Sequence, residues 1–274
     1  MKRIISIMLT LILLCSAVFC FASCSKDEDW ETIEEKGYFV CGITVYEPMN
    51  YFDAEGNLVG FDTEFAQAVA DYLGVEVKFQ VIDWPSKYLE LNSGAIDVIW
   101  NGFTLGNEKD GVSRTEYVDF TYAYLENRQC VVTLASRVGE LNSAAAFAGK
   151  RAVVEGGSSG EAVAETLTSE DKVTTFDSQA AALLELKAGN ADFAVIDYQM
   201  ARAMVGEGTD YAELAINNAV QPESEVYAIG CRKDSNFTEK LNEAIKALYE
   251  NGKLAEIAAK YGLSNDLVEN IGSK

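Results

Sequence analysis

The sequence of 274 residues contains no histidine and only three prolines. Imidazole is a common zinc ligand in proteins and the usual base of nucleophilic triads, so its absence largely excludes sites of both kinds. A Gly-Lys-Ser/Thr phosphate loop is also missing, which argues against a nucleotide site. We therefore predict neither a metal site nor a cofactor.

Basic residues are scarce as well. Lysine and arginine number 22 against 43 aspartates and glutamates, and the formal charge is -21. Residues 1–23 contain Lys2 and Arg3 but no acid, so without them the two lost positive charges make the total -23. Nucleic acid and anionic membrane surfaces repel so acidic a chain, and we predict that neither binds the folded part directly.

Cysteine is present six times, but only three copies lie beyond the N-terminal segment. None of these forms a CxxC pair, and each lies in an apolar, strand-like run. Buried free thiols are the favoured interpretation, with one disulfide and an odd thiol as the alternative. The three residues are Cys41, Cys130 and Cys231.

The N-terminus holds the one long apolar stretch. Lys2 and Arg3 precede an apolar run over residues 4–21, and Ala22-Ser23-Cys24 follows. This order predicts a secretory signal over residues 1–23, whose end is similar to a bacterial lipobox with Cys24 as the lipid-anchored residue. A signal cleaved without lipidation and an uncleaved membrane anchor stay open as alternatives. Residues 24–36 are acidic and poor in apolar side chains, so we predict a tether there.

One sequence pattern occurs twice, about a hundred residues apart, over residues 89–101 and 184–197. In both copies Leu-Glu-Leu is followed by a glycine, an aspartate and a short apolar run at identical spacings. Each copy predicts the end of a helix, a glycine cap and a strand buried on both faces. The two strands end at Asn101 and Asp197. Ligands bind beyond the carboxyl ends of parallel strands, so we expect both side chains to face one cleft.

The predicted elements alternate as β-α-β-α-β in both halves. This order predicts an α/β fold of two lobes, each a mostly parallel sheet flanked by helices, joined by a two-strand hinge. We expect residues 37–126 plus 227–274 to form lobe 1 and residues 127–226 to form lobe 2, because the amphipathic C-terminal helices are needed to cover the first sheet. Residues 106–113 lack apolar periodicity and are predicted to be a loop.

Several short motifs follow one another at characteristic spacings, among them Tyr46-Glu47-Pro48-Met49, Gly60-Phe61-Asp62, Gly94-Ala95-Ile96-Asp97, Tyr117-Val118-Asp119-Phe120 and Gly157-Ser158-Ser159. In order and spacing, over about residues 37–261, they resemble the polar amino-acid-binding proteins of ABC importers. The resemblance implies a type II periplasmic-binding-protein fold and a bacterial solute-binding lipoprotein. It also implies a monomer that closes around a free L-amino acid and delivers it to an ABC permease with its ATPase.

The resemblance further implies roles for individual residues. They are Tyr46 and Trp84 around the ligand side chain; Asn101, Gly102, Thr104 and an arginine at the α-carboxylate; Ser158 and Ser159 as hydrogen-bonding residues of lobe 2; and Asp197 at the α-ammonium. The chemistry fits a zwitterion, which needs donors on one side and an acceptor on the other.

The arginine cannot be placed by spacing alone, because the loop between Thr104 and Asp119 is longer than in the family. Counting five residues forward from Thr104 leads to Lys109, whereas counting five residues back from Asp119 leads to Arg114. We favour Arg114, because the planar guanidinium can bind both oxygens of a carboxylate and an ammonium cannot.

Each predicted site residue also has a purely structural interpretation. Tyr46 would then be a surface ring, Trp84 a core residue, and Asn101 and Thr104 strand caps. The turn over residues 156–160 would cap the following helix. Glu155 would either contact a ligand side chain that carries a donor or a positive charge, or be a solvated acid at a strand end.

We predict a binding protein without enzymatic activity. Two alternatives stay open: a dehydratase of the same fold that acts on prephenate or arogenate, and a sensor that presents its ligand to a kinase. The lack of histidine weakens the first alternative, although acidic residues alone can carry out proton chemistry.

Overall fold

The computed structural model describes residues 28–106, 108–109 and 112–272. The predicted signal over residues 1–23, the predicted anchor Cys24 and the first residues of the predicted tether lie outside these ranges. Among the described residues, no helix is both long and apolar enough to cross a bilayer.

The first half of the chain alternates strands with helices around one sheet. Strand β1 pairs in parallel with β4 and β5, as the predicted βαβ order requires. The elements are α1 Asp29–Lys36, β1 Tyr38–Ile43, β2 Tyr51–Phe52, β3 Leu58–Val59, α2 Phe61–Leu73, β4 Glu76–Val81, α3 Lys87–Ser93, β5 Val98–Ile99, β6 Glu108–Lys109, β7 Val112–Ser113 and β8 Asp119–Phe120.

The second half builds another sheet by the same plan. Strand β10 pairs in parallel with β11 and β12, whereas β9 runs antiparallel to β12, β13 and β14. The elements are β9 Leu125–Leu134, β10 Ala152–Glu155, α4 Ser159–Leu167, β11 Val173–Phe176, α5 Gln179–Lys187, β12 Phe193–Asp197, α6 Tyr198–Met204, β13 Leu214–Asn217 and β14 Ser224–Tyr227. Helix α6 and strand β13 were not predicted.

The chain then returns to the first sheet through β15 Gly230–Cys231, α7 Phe237–Glu250 and α8 Lys253–Lys260. The strand orders are β4-β1-β5-β15-β8 and β11-β10-β12-β9-β13. Helices α7 and α8 pack against α2 and cover the sheet of lobe 1. The sequence also predicts one strand over residues 226–231. This prediction is wrong, because two separate strands lie there: β14 pairs with β9, and β15 pairs with β5 and β8. The mixed α/β class is confirmed.

The two connections between the lobes run side by side. Strand β14 pairs with the first residues of β9, in a ladder from Leu125↔Tyr227 to Arg128↔Ser224. Both ends of this ladder therefore lie next to the cleft, and residues on either strand can reach it.

The repeated sequence pattern has the same structure in both lobes. A glycine in the left-handed conformation, Gly94 or Gly189, ends each helix, and the aspartate that follows accepts a hydrogen bond from the start of a neighbouring strand. The two bonds are Val40 N–H to Asp97 Oδ2 at 2.9 Å and Arg151 N–H to Asp192 Oδ2 at 2.8 Å. The aspartate thus sets the register of the sheet at the equivalent point of each lobe.

Residues 29–36, predicted as part of a tether, instead form helix α1 docked on lobe 1. Ile33 is fully buried, and Trp30 stacks on Phe237 with ring centroids 5.9 Å apart. The tether prediction fails here because two apolar residues three positions apart share one helix face, which is enough to dock an otherwise acidic helix.

Two further predictions meet a direct observation. The three cysteines of the folded part are buried and free, which confirms the favoured interpretation. The segment over residues 106–113 was predicted to be a loop, but it contains the short antiparallel pair β6 and β7. Two-residue strands carry no apolar pattern that periodicity can detect.

Candidate functional site

A small enclosed cavity lies between the lobes, at the carboxyl ends of the parallel strands. Eight of the nine predicted ligand-binding residues line it, and Tyr46 does not. Asn101 and Asp197, which were predicted to face one cleft, both line this cavity. The complete lining is Trp84, Asn101, Gly102, Thr104, Arg114, Glu155, Ser158, Ser159, Gln179 and Asp197.

The carbonyl oxygen of Gly157 joins the two lobes across this cavity. It accepts hydrogen bonds from Lys87 Nζ at 3.1 Å and from Arg114 Nη2 at 3.4 Å, both of lobe 1. Gly157 has a φ of 69°, and a Cβ there would lie 3.2 Å from Lys87 Nζ. The glycine therefore permits the close approach, and the cleft is closed.

Arg114 forms part of the cavity wall and is 6% exposed. Its guanidinium carbon lies 4.7 Å from the centre of the Phe103 ring, and Nη1 donates to the carbonyl oxygen of Thr104 at 3.1 Å. Burial lowers the pKa of Arg114, while the nearby acids oppose that shift. The competing residue Lys109 lies in β6, and its side chain falls outside the described part. Arg114 is thus a buried cation placed where a carboxylate could meet it.

The two predicted aromatic residues differ in their position. Trp84 lines the cavity and also belongs to the core, where its ring meets Phe103 edge-on at 5.5 Å. Tyr46 lies behind the wall, and its hydroxyl is 2.7 Å from that of Tyr227, which donates to Asp197 Oδ1 at 2.8 Å. Tyr46 is therefore neither a surface ring nor a cavity ring in this closed form.

Asn101 and Gly102 are held from inside lobe 1. The Asn101 amide donates to Thr44 O and Asn50 Oδ1 and accepts from Thr44. The Gly102 N–H donates to Asp62 Oδ2 at 3.0 Å, and burial raises the pKa of Asp62 to about 6. The closed form therefore leaves neither the Asn101 amide nor the Gly102 N–H as a free donor for a carboxylate, contrary to the role that the resemblance implies.

Gly102 itself closes the wall between the cavity and the tyrosines. Its φ is 56°, and a Cβ at this position would lie 2.7 Å from Cε1 of Tyr46. Both the backbone conformation and the contact require glycine.

Ser158 and Ser159 lie where helix α4 begins. The Ser158 hydroxyl accepts from the N–H of Glu161 at 3.1 Å, so the predicted helix cap is present. The Ser159 hydroxyl is buried, lines the same cavity and has no hydrogen-bond partner among the residues that the structure describes. An unpaired buried hydroxyl at a helix N-terminus suits an anionic group of a ligand.

Asp197 is the most heavily hydrogen-bonded acid of the cavity. Its Oδ1 accepts from Asn127 at 2.6 Å, Gln129 at 2.8 Å and Tyr227 at 2.8 Å, and its Oδ2 accepts from Gln179. Burial raises the pKa of Asp197, and these four donors oppose the shift. The donors fix the direction of the carboxylate, which faces the cavity as an acceptor for a cation.

Glu155, at the end of β10, is a second acid in the cavity wall and is 3% exposed. Burial and the charge of Asp197 raise the pKa of Glu155 to about 8, while Lys87 and Arg114 act in the opposite direction. The interpretation of Glu155 as a solvated strand-end acid is therefore wrong. The cavity has an excess of acid over base.

Several residues that build the site were not predicted. Lys87 is only 3% exposed. Nothing in the sequence of helix α3 predicts that a lysine at its start would be buried. The amide donors around Asp197 come from residues 18 to 70 positions away. The start of β9 has four polar residues in a row, residues 126–129, without alternation, so no sequence pattern marks which of them face inward. The full set is Lys87, Asn127, Gln129, Gln179 and Glu225.

A metal site finds no support in the described ranges, where no group of three or more acidic or cysteine side chains could hold an ion. Arg114 is bound instead to backbone oxygens, and Asp197 to side-chain amides and a tyrosine hydroxyl. Such an arrangement can bind an organic zwitterion.

Comparison with known proteins places this geometry in a family. The family described as bacterial extracellular solute-binding proteins, family 3, matches residues 39–264. The arginine-binding extracellular protein ArtP of Bacillus subtilis (strain 168) is 29% identical over 255 residues, which cover 92% of this chain and 96% of ArtP. The family resemblance inferred from the motifs is confirmed.

Solved structures agree. An ABC uptake transporter substrate-binding protein from Streptococcus pneumoniae with bound histidine has a TM-score of 0.75 at 31% identity, covering 85% of this chain and 96% of its own. A variant of ArgBP from T. maritima has a TM-score of 0.76 at 30% identity, and the match covers 85% of this chain and 99% of the ArgBP chain. The predicted two-lobe, type II periplasmic-binding-protein fold is thereby confirmed. The chain belongs to family 3 of the bacterial extracellular solute-binding proteins.

Proposed function

We propose that the protein is the extracytoplasmic substrate-binding component of an amino-acid ABC importer, which closes its lobes around a free L-amino acid. The observation that carries the proposal is the placement of Arg114 and Asp197, from opposite lobes, around one enclosed cavity. A cation and an anion that face the same small space match the two charged ends of an amino acid.

The charges assign an orientation to the ligand. The α-carboxylate would lie near Arg114, where the Ser159 hydroxyl and the N-terminus of α4 add favourable donors. The α-ammonium would lie against Asp197. Because Arg114 already binds backbone oxygens of both lobes, a ligand carboxylate would replace or share its weaker bond to Gly157.

Glu155 favours a ligand with a positively charged side chain. Once Asp197 and Arg114 are paired with the ends of the amino acid, Glu155 is the buried charge that lines the cavity without such a partner. A buried carboxylate is unfavourable unless it is paired or protonated, and a cationic side chain would pair it. The relatives that bind arginine and histidine support this ligand class.

A thermal-shift screen tests the proposal. The purified protein would be heated with each of the twenty amino acids and with ornithine and cystine. A ligand at a hundred times its dissociation constant should stabilise the folded protein by roughly 2.7 kcal/mol, which gives a clear rise in melting temperature. If none of these compounds raises the melting temperature, the proposed function is wrong.

Asp197→Asn should weaken binding far more than it weakens folding. The substitution leaves the ligand ammonium without its full countercharge, at a cost on the order of 2 to 5 kcal/mol in binding. The free energy of unfolding should change little, because burial already disfavours the charged form of this acid in the empty protein. Calorimetry that gives less than a tenfold loss of affinity would rule out Asp197 as the ammonium ligand.

The binding role is proposed in preference to catalysis. A protonated Glu155 could in principle serve as a general acid, which is the feature that keeps the dehydratase alternative in view. Incubation with prephenate or arogenate would decide: unchanged substrate supports a binding protein, and a decarboxylated aromatic product would contradict it.

We also propose a division of the chain into two lobes and an attachment to the membrane. Residues 37–126 with 227–274 form lobe 1 and residues 127–226 form lobe 2 of a monomer. A lipid on Cys24 holds it at the outer face of the membrane, where it meets the permease and its ATPase. A permease and an ATPase gene beside its own would favour import over the sensor alternative.

A further inference from the structure

Hinge strand β14 carries one carboxylate, Glu225, that the amino-acid pose does not use and that lies beside Asp197. Asn127 Nδ2 lies 2.6 Å from Asp197 Oδ1 and 2.6 Å from Glu225 Oε1, so the two oxygens are no more than 5.2 Å apart, twice that shared distance. Gln129 Nε2 bridges the same oxygens at 2.8 Å each. Two amides from β9 thus hold an acid of β12 beside an acid of β14.

We propose that Glu225 acts with Asp197 as one carboxylate pair of the ammonium subsite, which holds a shared proton in the empty protein and releases it to solvent when the α-ammonium of the amino acid enters. This inference rests on the proposed function. It adds a residue from the hinge to the binding machinery and makes binding depend on pH for every amino acid, whatever its side chain.

Like charges in this position repel strongly enough for one acid to stay protonated near neutral pH. Burial and the charge of Asp197 raise the pKa of Glu225 to about 7, while the two amides and Thr104 act in the opposite direction. An ammonium ion in the cavity, against Asp197 and close to the pair, supplies a countercharge that offsets the repulsion between the two acids. The O–H bond of the shared proton then breaks, and both acids become carboxylates.

Among the charged and titratable neighbours, Glu155 is the one that also titrates near this range, because burial and the charge of Asp197 raise its pKa to about 8, and its substitution is therefore part of the test. Arg114 interacts with both acids and already lowers their tendency to hold a proton. Tyr46 and Tyr227 keep their protons, because burial raises the pKa of each well above its ordinary value. Glu225 also lines an open groove beside the cavity, which gives the proton a path to water.

The direction of the pH effect follows from proton release. The pKa of Glu225 is about 7 in the empty protein, and the bound ligand should lower it. Affinity should therefore rise about fivefold from pH 6 to pH 7 and level off above pH 8. The chain has no histidine, so no imidazole titration overlaps this window.

The test is a carbon-13 NMR titration of the glutamate carboxyl groups, with and without saturating L-arginine or the amino acid that the thermal screen selects. Wild type is compared with Glu225→Gln and with the control Glu155→Gln, which removes the second acid that titrates near this range. The ligand is raised to saturation for each protein separately, because Glu155→Gln should weaken the binding of a cationic amino acid. We expect a carboxyl that titrates near pH 7 in the empty control, is missing in Glu225→Gln, and moves down by about two pH units or more when ligand binds.

Calorimetry of the control at pH 6, in buffers of different ionisation enthalpy, should give close to one proton released per ligand. The double variant Glu155→Gln, Glu225→Gln should release almost none. A Glu225 that titrates in the ordinary range, or that does not move on binding, would overturn the inference while the proposed function stands. Failure of every amino acid to bind would overturn both, and the titration of the empty protein would still show whether the pair shares a proton.

Discussion

At the scale of single residues, Arg114 best shows how contacts refine a prediction from spacing. Sequence spacing left Arg114 and Lys109 as competitors for the carboxylate. In the structure Arg114 is a buried cation in the cavity wall that binds backbone oxygens of Thr104 and Gly157. Its guanidinium group still has N–H donors that a bound carboxylate could use.

Arg114→Ala should cost about 2 kcal/mol or more in affinity for every amino acid that binds, because it removes a buried, charge-assisted contact to the group that all ligands share. Lys109→Ala, the matched control on the same loop, should cost less than about 0.5 kcal/mol, because we predict that this lysine does not bind the carboxylate. Calorimetric titrations with two different amino acids would measure both. The reverse ranking would mean that Lys109 is the clamp and that the loop was aligned wrongly.

Residues at strand ends could be predicted, and residues that act through long-range contacts could not. Asp197 ends an apolar run, and a buried acid there needs a partner, so its importance is visible locally. Glu225 becomes important only because Asn127 and Gln129, almost a hundred positions earlier in the chain, share their amides with it. Nothing in the sequence near Glu225 reveals that contact.

At the scale of elements, helix α1 is the clearest departure from the sequence interpretation. Beyond Ile33 and Trp30, it is fixed by charge: Arg232 binds Asp29 at 2.9 Å, and Lys36 binds Asp97 at 2.7 Å. Asp97 is also the aspartate of the repeated motif. The acidic helix thus completes the ion pairs of lobe 1.

Ile33→Ala should lower the free energy of unfolding by about 2 to 5 kcal/mol, because it leaves a cavity under a docked helix. Affinity for amino acids should stay unchanged, since α1 does not line the cleft. Glu34→Ala, on the exposed face of the same helix, is the matched control and should be nearly neutral. Denaturant unfolding and calorimetry check the two quantities; a loss of binding without a loss of stability would contradict this account.

Long elements with a clear pattern were predictable, and short ones were not. The apolar stripes of α2 and α7 and the two copies of the glycine-aspartate motif gave the βαβ order of both lobes. No sequence pattern marks strand β13, which is a strand because it pairs with β9. Helix α6 is seven residues long and begins at Tyr198, directly after the last residue of β12, so no turn or loop in the sequence separates it from that strand.

At the scale of the whole molecule, closure of the cleft is the central feature. The two lobes are linked by β9 and β14 and meet across the cavity at Gly157. The hinge strands carry Asn127, Gln129 and Glu225, so the residues that surround the ammonium subsite belong to the same segments that connect the lobes. Binding and lobe orientation therefore depend on one set of contacts.

Cys24→Ser should release the protein from the membrane without changing its affinity. The predicted lipid on Cys24 is its proposed attachment, and the acidity of the folded part gives no second means of membrane binding. Cell fractionation followed by an affinity measurement on the released protein checks both parts. A variant that stays in the membrane fraction would show that the apolar N-terminal segment is an uncleaved anchor.

The docking of helix α1 on lobe 1 has a mechanical consequence for a protein attached in this way. Between Cys24 and Asp29 there are five peptide steps, which span at most roughly 18 Å when fully extended. With the proposed lipid on Cys24, this short connection would keep lobe 1 beside the bilayer in every state. Lobe 2, connected to lobe 1 by β9 and β14, would then move relative to the membrane when the cleft opens or closes.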